Sequence, residues 1–388
     1  MKHCSLFGQI LQQFPRHKFS KIVLETKAEY KAKGFSSWDQ FVAMLFCQMA
    51  HCKSLREITD GLQAVFGKLN HLGMNESPAR STLSYANAHR KAELFEKVFY
   101  ELLAMCRAHQ PGLKKQFKFK NKLLSLDASM IELCLSLFPW AEYRQTKGAV
   151  KLHLLLDHDG YLPIFASITE GKQHEVNVAR TLSLPKGSIV AVDRGYTDYG
   201  LFYKWNKEEV FFVSRQKNNA DFTVVEEKSI SKDGSRIMAD QVIRMEGYKT
   251  EKLYPDNLRR IVLLDDKGKT VVFISNNFTL SPEVIAAIYK DRWEIELFFK
   301  EIKQNLLIKT FVGTSRNALL TQIWTALIAV LLVRYMRFMS KCHLSLSRLV
   351  ALLRLNLFSY RDLWAFLRDP LCTPPYEPPD EQLALDLG

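Results

Sequence analysis

Apolar positions along the chain change period twice, and each change marks a change of element type. Over residues 1–110 they recur at helical spacing, as in Trp38 to Ala50. Ser54, with Glu57 three residues on, reads as a capping box that opens another helix. Residues 67–78 are turn-rich, and a long helix is predicted from Arg80 to about Ala108. From Leu123 the pattern is that of buried strands: Leu123–Ala128, Ala149–Leu156, Tyr161–Ile168, Ser188–Val192 and Glu209–Ser214. Asp159-Gly160 predicts a hairpin between the second and third, and His174–Leu184 reads as a helix. Residues 216–258 turn polar, with short alternating runs, before strands at Arg260–Leu264 and Thr270–Ser275. Ser281-Pro282 starts a long helix to about Leu306, since proline suits the first helical position.

The order of these elements predicts an α/β fold, a mixed sheet flanked by helices. The expected divisions are a helical region 1–110, a linker 111–122, a core 123–310 with a β-rich insertion at 216–275, helices over 311–369, and a Pro-rich tail from 370. Ala318 to Val333 is strongly apolar but only sixteen residues long, short of the roughly 20 a bilayer span needs, so it reads as a buried helix.

Charge sharpens this division. The chain of 388 residues carries a formal +13, which favours a polyanionic partner. Residues 1–122 hold 20 Lys and Arg against 9 Asp and Glu, a net of +11, so most of the excess lies ahead of the strands. Arg80, Arg90 and Lys91 fall near a predicted helix that follows a helix and an irregular connection. Such a pair can set its second helix in a major groove, or can be a plain helical bundle with solvated basic faces; the charge favours the first, so residues 1–110 are expected to be a helical DNA-binding domain. In the linker, Lys118 and Lys120 alternate with Phe117 and Phe119, a pattern suited to phosphate contact or to a solvated edge. Seven cysteines, without a C-x-x-C pair, support neither a disulfide framework nor a zinc ribbon.

Three carboxylates stand out by position. Asp127 lies in a buried-looking strand, Asp193 just past the end of another, and Glu296 in the long helix. Acids at neighbouring strand ends, joined by one from a packing helix, can hold two hard divalent cations such as Mg²⁺ or Mn²⁺. On that helix Arg292, Glu296 and Lys303 follow Tyr289 at offsets that fall near 300°, 340° and 320° at about 100° per residue. They share one face, suited to gripping phosphate. Asp291 lies off that strip and reads as a surface residue. His174-Glu175 reads as a helix cap or a further metal-facing pair, and Asp198 as a cap.

Tyr289, Arg292, Glu296 and Lys303, with Asp127 in SLDAS and Asp193 in VAVDRGY, resemble the Y-R-E-K signature and the two earlier acidic motifs of bacterial DDE transposases of the IS-four family. The resemblance covers about 120–340. It implies a ribonuclease-H-like catalytic core, with a β-rich insertion between the second Asp and the Glu. It implies that Asp127, Asp193 and Glu296 ligate two Mg²⁺ ions, and that Tyr289, Arg292 and Lys303 hold DNA phosphates. Trp293 would stack on a displaced base or pack in the core, and Arg194 would contact DNA or pair with a neighbouring carboxylate. The expected partners are double-stranded DNA at terminal inverted repeats and a second copy of the chain on the paired end. The expected location is the bacterial cytoplasm, at the nucleoid, with no membrane. A metal-dependent nuclease without strand transfer and an inactive DNA-binding regulator are the alternatives.

Overall fold

The computed structural model describes residues 4–32, 34–65, 67–108, 117–144, 147–230, 236–305 and 311–376. The first half of the predicted linker, with Lys114 and Lys115, and the end of the tail lie outside the described residues. The chain forms two compact units, residues 1–109 with 301–388, and residues 110–300. The C-terminal helices, expected as a region of their own, therefore belong to the same unit as the N-terminal ones.

The first unit is helical. Its N-terminal part holds helices including Ser37–Ala50, Leu55–Ala64, Arg80–His89 and Glu93–Ala108, and its C-terminal part Arg316–Met339, Leu346–Asn356 and Leu363–Arg368. Arg316–Met339 has the length and a mean hydropathy of 1.7 that a membrane span needs, yet 83% of its apolar window is buried. Its mid-helix polar residues Thr321, Gln322 and Thr325 are buried too. Thr325 Oγ1 donates to the Thr321 carbonyl, and Gln322 Oε1 accepts from the Val312 amide. The predicted long helix from Arg80 instead breaks at Arg90–Ala92. Asn317 compensates for the break: its Nδ2 donates to the carbonyls of Asn87 and Arg90, and its Oδ1 accepts from the Ala92 amide. A buried break needs such partners, because freed backbone groups are costly without them.

The second unit is built on one ten-stranded mixed sheet. Its strands are β1 (Leu123–Leu133), β2 (Glu142–Arg144), β3 (Lys147–Asp157), β4 (Leu162–Glu170), β5 (Ile189–Val192), β6 (Phe211–Arg215), β7 (Phe222–Glu227), β8 (Ile237–Met245), β9 (Leu258–Leu264) and β10 (Thr270–Ser275). The order is β2-β3-β1-β5-β6-β10-β9-β8-β7, with β4 also on β3. β1, β5 and β6 run parallel, and the remaining pairs are antiparallel. The β-rich stretch at 216–275 is not a separate sheet, because β10 pairs with β6 and carries β7–β9 onto the same surface. A buried ion pair fastens it: Arg259 donates to both oxygens of Asp240, and also to the carbonyl of Asn277.

Alternation along β1, β5 and β6 sends side chains to two cores. Leu124, Leu126, Val190, Val192 and Phe212 pack with Phe202 and Trp205 of the helix Tyr199–Lys207. Leu123, Ile189, Ala191 and Val213 pack on the other face with Ile285 and Ile288 of the helix Pro282–Asp291. Ser281 caps that helix, accepting from the Val284 amide. The predicted single helix from Ser281 is hitched at Arg292, which separates Pro282–Asp291 from Trp293–Asn305.

Candidate active site

The two aspartates meet because of strand register. Leu126 of β1 pairs with Val192 of the parallel β5, so Asp127 and Asp193 are the next residues along each strand. Parallel neighbours lie roughly 5 Å apart, which puts the two carboxylates side by side. Asp127 Oδ1 accepts from the Ala128 amide at 2.8 Å. Asp193 ends its strand and accepts from the Arg194 amide at 2.6 Å. The charges of Asp193 and Glu296 both act on Asp127.

Arg292 joins the helix to the sheet. Its Nη1 donates to Asp127 Oδ2 at 3.3 Å and its Nη2 to Glu296 Oε1 at 2.5 Å. The Arg292 side chain is only 9% exposed. The hitch before Trp293 leaves the i, i+4 bond from Arg292 to Glu296 intact and turns Trp293 outward, 56% exposed. Tyr289 is half-buried, with its ring against Phe273 and the Arg292 guanidinium 5.5 Å from its centroid. Burial pushes its phenol up. Lys303 stands on the last turn of the helix, in the part that belongs to the helical unit, and is partly buried.

Burial pushes the Asp127 carboxyl up to about 6. Arg292 and the Ala128 amide act against that rise, while Asp193 and Glu296 add to it. A fourth carboxylate stands close by. A Cβ placed on Gly195 would lie 3.4 Å from Glu175 Oε2 and 4.0 Å from Asp193 Oδ2. Glu175 pairs with Lys151 at 3.1 Å. His174 makes no side-chain cap, so capping does not account for this pair. Asp198 does cap its helix, accepting from the Leu201 amide.

Among the described residues, no three His, Cys, Asp or Glu side chains converge closely enough to form a ready ion site. The guanidinium between Asp127 and Glu296 gives the physical reason, since it holds the acids around itself. The donor set still suits a hard divalent cation, being all carboxylate oxygen. Among the described residues the buried Tyr196 hydroxyl has no hydrogen-bond partner, and Asp127, Glu175 and Asp193 all act on it. Water carried by a cation on those acids would supply its missing partner.

Sequence reasoning missed a basic recess beside Asp193. Arg194, Arg215, Lys217 and Arg260 line a cavity of about 200 Å³ with Gln216 and Asn218. Arg194 is exposed, and its guanidinium donates to Asn218 Oδ1 at 3.4 Å. Arg260 donates to Gln216 and Gln241, and lies over the Phe222 ring. The signal was faint, because these cations come from separate parts of the chain: Arg194 after β5, Arg215 and Lys217 at the end of β6, and Arg260 on β9.

The basic residues expected outside the core divide. Lys118 and Lys120 are exposed, while Phe117 and Phe119 stack on each other and face the core. Arg80 and Lys91 are exposed on the helical unit. Arg90 is a correction to the expected DNA contacts. Its guanidinium donates to the carbonyls of Phe35 and Ser36 and to Gln40 Oε1, and its Nε to the Ala28 carbonyl. Asp291, read as a surface residue, is also a correction: its side chain is 8% exposed and bonded to His158.

The model of the Transposase DDE domain family matches residues 118–332, and that of a domain of unknown function matches residues 2–75. A protein of Sinorhizobium fredii named as a transposase is 30% identical over 78% of this chain and 84% of its own. A probable transposase for an insertion sequence element of Geobacillus stearothermophilus is 25% identical over 65% of this chain and 67% of its own. A piggyBac transposase synaptic complex with hairpin DNA is similar in structure with a TM-score of 0.46 at 12% identity, covering 94% of this chain and 82% of that one.

Proposed function

We propose a residue-level mechanism for a chain that belongs to the DDE transposase family and is therefore a DNA transposase, an enzyme that cleaves and transfers DNA strands. Asp127, Asp193 and Glu296 are the acids that hold its divalent cations. The observation that supports this is the register of β1 and β5, which sets Asp127 beside Asp193, with the two hydrogen bonds that Arg292 donates to Asp127 and Glu296. Bound Mg²⁺, or Mn²⁺ in its place, at two ions per site, supplies Lewis-acid stabilisation to the attacking and leaving oxygens of the scissile phosphate.

The chain's own side chains do the rest. Arg292 bonds to both Asp127 and Glu296, and its guanidinium fork would offer a two-pronged grip on a DNA phosphate beside those acids. Tyr289 orients that fork from beneath. Trp293 offers an open aromatic face to an unstacked base. Arg194, Arg215, Lys217 and Arg260 hold the strand's phosphates beside Asp193, and Lys303 extends the grip along the helix. Lys118 and Lys120 contact the DNA backbone, as do Arg80 and Lys91 on the helical unit, which is the DNA-gripping part.

We propose further that the core is ribonuclease-H-like. Its five strands β4-β3-β1-β5-β6, antiparallel up to β1 and parallel after it, support that reading. The substrate is double-stranded DNA at the terminal inverted repeats of an insertion sequence in a bacterial cell, handled by paired copies of the chain.

The test is a duplex carrying the element's end, incubated with protein and Mg²⁺. The reading predicts nicking at the end and joining of the freed 3′-end to a second duplex. Nicking without joining would make the protein a nuclease, and neither reaction would leave a DNA-binding regulator.

A further inference from the structure

Ser125, His158 and Asp291 form a buried chain of contacts beside the acids. Ser125 Oγ lies 2.7 Å from His158 Nε2, and His158 Nδ1 bonds to Asp291 Oδ2. Ser125 is fully buried, and the side chains of His158 and Asp291 are only 5% and 8% exposed. These three residue types in this order match a hydrolase's nucleophile, base and orienting acid. Here no substrate can reach Ser125, so the arrangement does not serve nucleophilic attack.

The chain does connect three elements that must agree for the acids to meet. Ser125 lies on β1 two residues before Asp127, on the same face of the strand. His158 follows β3, and its amide donates to the Leu123 carbonyl at 3.1 Å. Asp291 ends the helix Pro282–Asp291 and directly precedes Arg292. Tyr161 closes the group: its ring lies 5.4 Å from the imidazole and its hydroxyl bonds to Asp291. Its backbone is left-handed, with φ at 52°, in the turn between β3 and β4.

We propose that His158 and Asp291 are positioning residues, a clasp that fixes the helix end to β1 and so sets the spacing of Asp127 to Arg292 and Glu296. Apolar packing alone would not fix that spacing. Ile285 and Ile288 pack the helix on the sheet, and apolar contact is non-directional, whereas hydrogen bonds have defined directions. The elements also differ in origin, since the contacts span 133 residues of chain from His158 to Asp291. The clasp acts one residue before the hitch at Arg292. The effect on cleavage rests on the mechanism proposed above; the effect on local order does not.

The test uses the full chain with Asp291→Ala, Asp291→Asn and Ser125→Ala. In EDTA, hydrogen exchange is followed in peptides covering 123–130, 282–300 and 258–275. With an end duplex, binding and the Mg²⁺ dependence of nicking are measured. The clasp predicts faster exchange at 123–130 and 282–300 in Asp291→Ala, with 258–275 unchanged. It predicts unchanged duplex binding and a half-saturating Mg²⁺ concentration raised by about tenfold, the usual scale for losing a group that orients metal ligands. Asp291→Asn, which keeps a polar partner for the imidazole, should recover most of both effects, and Ser125→Ala should show a smaller version of them. Wild-type exchange in Asp291→Ala, or acceleration spread evenly over all three peptides, would overturn the clasp. So would a lower nicking rate at an unchanged Mg²⁺ requirement. If Asp291→Ala does not fold, Ser125→Ala decides the matter: faster exchange confined to 123–130 and 282–300 supports the clasp, and wild-type exchange or acceleration spread evenly over the three peptides overturns it. A wild-type protein that never nicks would refute the mechanism and leave the exchange result standing.

Discussion

Arg292 Nη1 lies 3.3 Å from Asp127 Oδ2, on a strand 165 residues earlier in the chain. Both side chains are mostly buried, 9% and 18% exposed, and the guanidinium also holds Glu296. Removing one partner of such a pair leaves an uncompensated charge in a poor solvent. Arg292→Ala should therefore lower the unfolding free energy in EDTA by on the order of 3 kcal/mol. Urea unfolding measures this directly. A change smaller than that of an exposed pair such as Lys204–Glu208 would show that the guanidinium does not neutralise the acids.

The raised carboxyl of Asp127 predicts a pH dependence in the metal-free protein. Its pKa in the fold is about 6, above the ordinary aspartate value of 3.8, mainly through burial. The fold thus favours the protonated form. This contribution to stability is fully present below about pH 4, falls as pH rises through about 6, and is flat above that. Asp127→Asn cannot ionise, so unfolding curves in EDTA should lose this decline while other pH effects persist. The same slope in both proteins would contradict the assignment.

The recess beside Asp193 predicts a salt signature. If Lys217 and Arg260 each meet a phosphate, substituting either by Ala weakens duplex binding across all sequences. Each loss should also reduce the slope of log affinity against log salt by about 1. Titrations at several salt concentrations check this, and slopes equal to wild type would remove the recess from the DNA path.

Arg90 predicts the opposite pattern. With four hydrogen bonds inside the helical unit, it holds the segment at Phe35–Ser36 against the start of the next helix. Arg90→Ala should cost roughly 2–3 kcal/mol of stability, as expected when buried acceptors lose a charged donor. The salt slope of duplex binding by folded protein should stay at its wild-type value.

The strands that carry Asp127 and Asp193 were legible in the sequence because runs such as Ile189–Val192 are continuously apolar, the mark of a parallel strand buried on both faces. The Tyr289–Arg292–Glu296 strip was legible because helical periodicity fixes neighbours three and four apart. What was hidden depended on partners far along the chain. Nothing near Asp291 announces His158, so an acid off the strip read as surface. Arg90 read as a DNA contact because a cation near a helix start says nothing about carbonyls at 28, 35 and 36. Arg215, Lys217 and Arg260 form one recess only because β9 and β6 flank β10. The extent of the sheet was hidden for the same reason, since the alternation at 222–225 fits an insertion as well as an edge of the main sheet.

The central claim is that Glu296, with Asp127 and Asp193, performs the cutting rather than the gripping of DNA. Glu296→Gln keeps the shape of the side chain and an oxygen for Arg292 while removing the charge that holds a cation. The decisive measurement compares this variant with wild type for nicking of an end duplex in Mg²⁺ and for binding of the same duplex in EDTA. The account predicts that nicking is abolished and binding is retained. Nicking at the wild-type rate in the variant would contradict it.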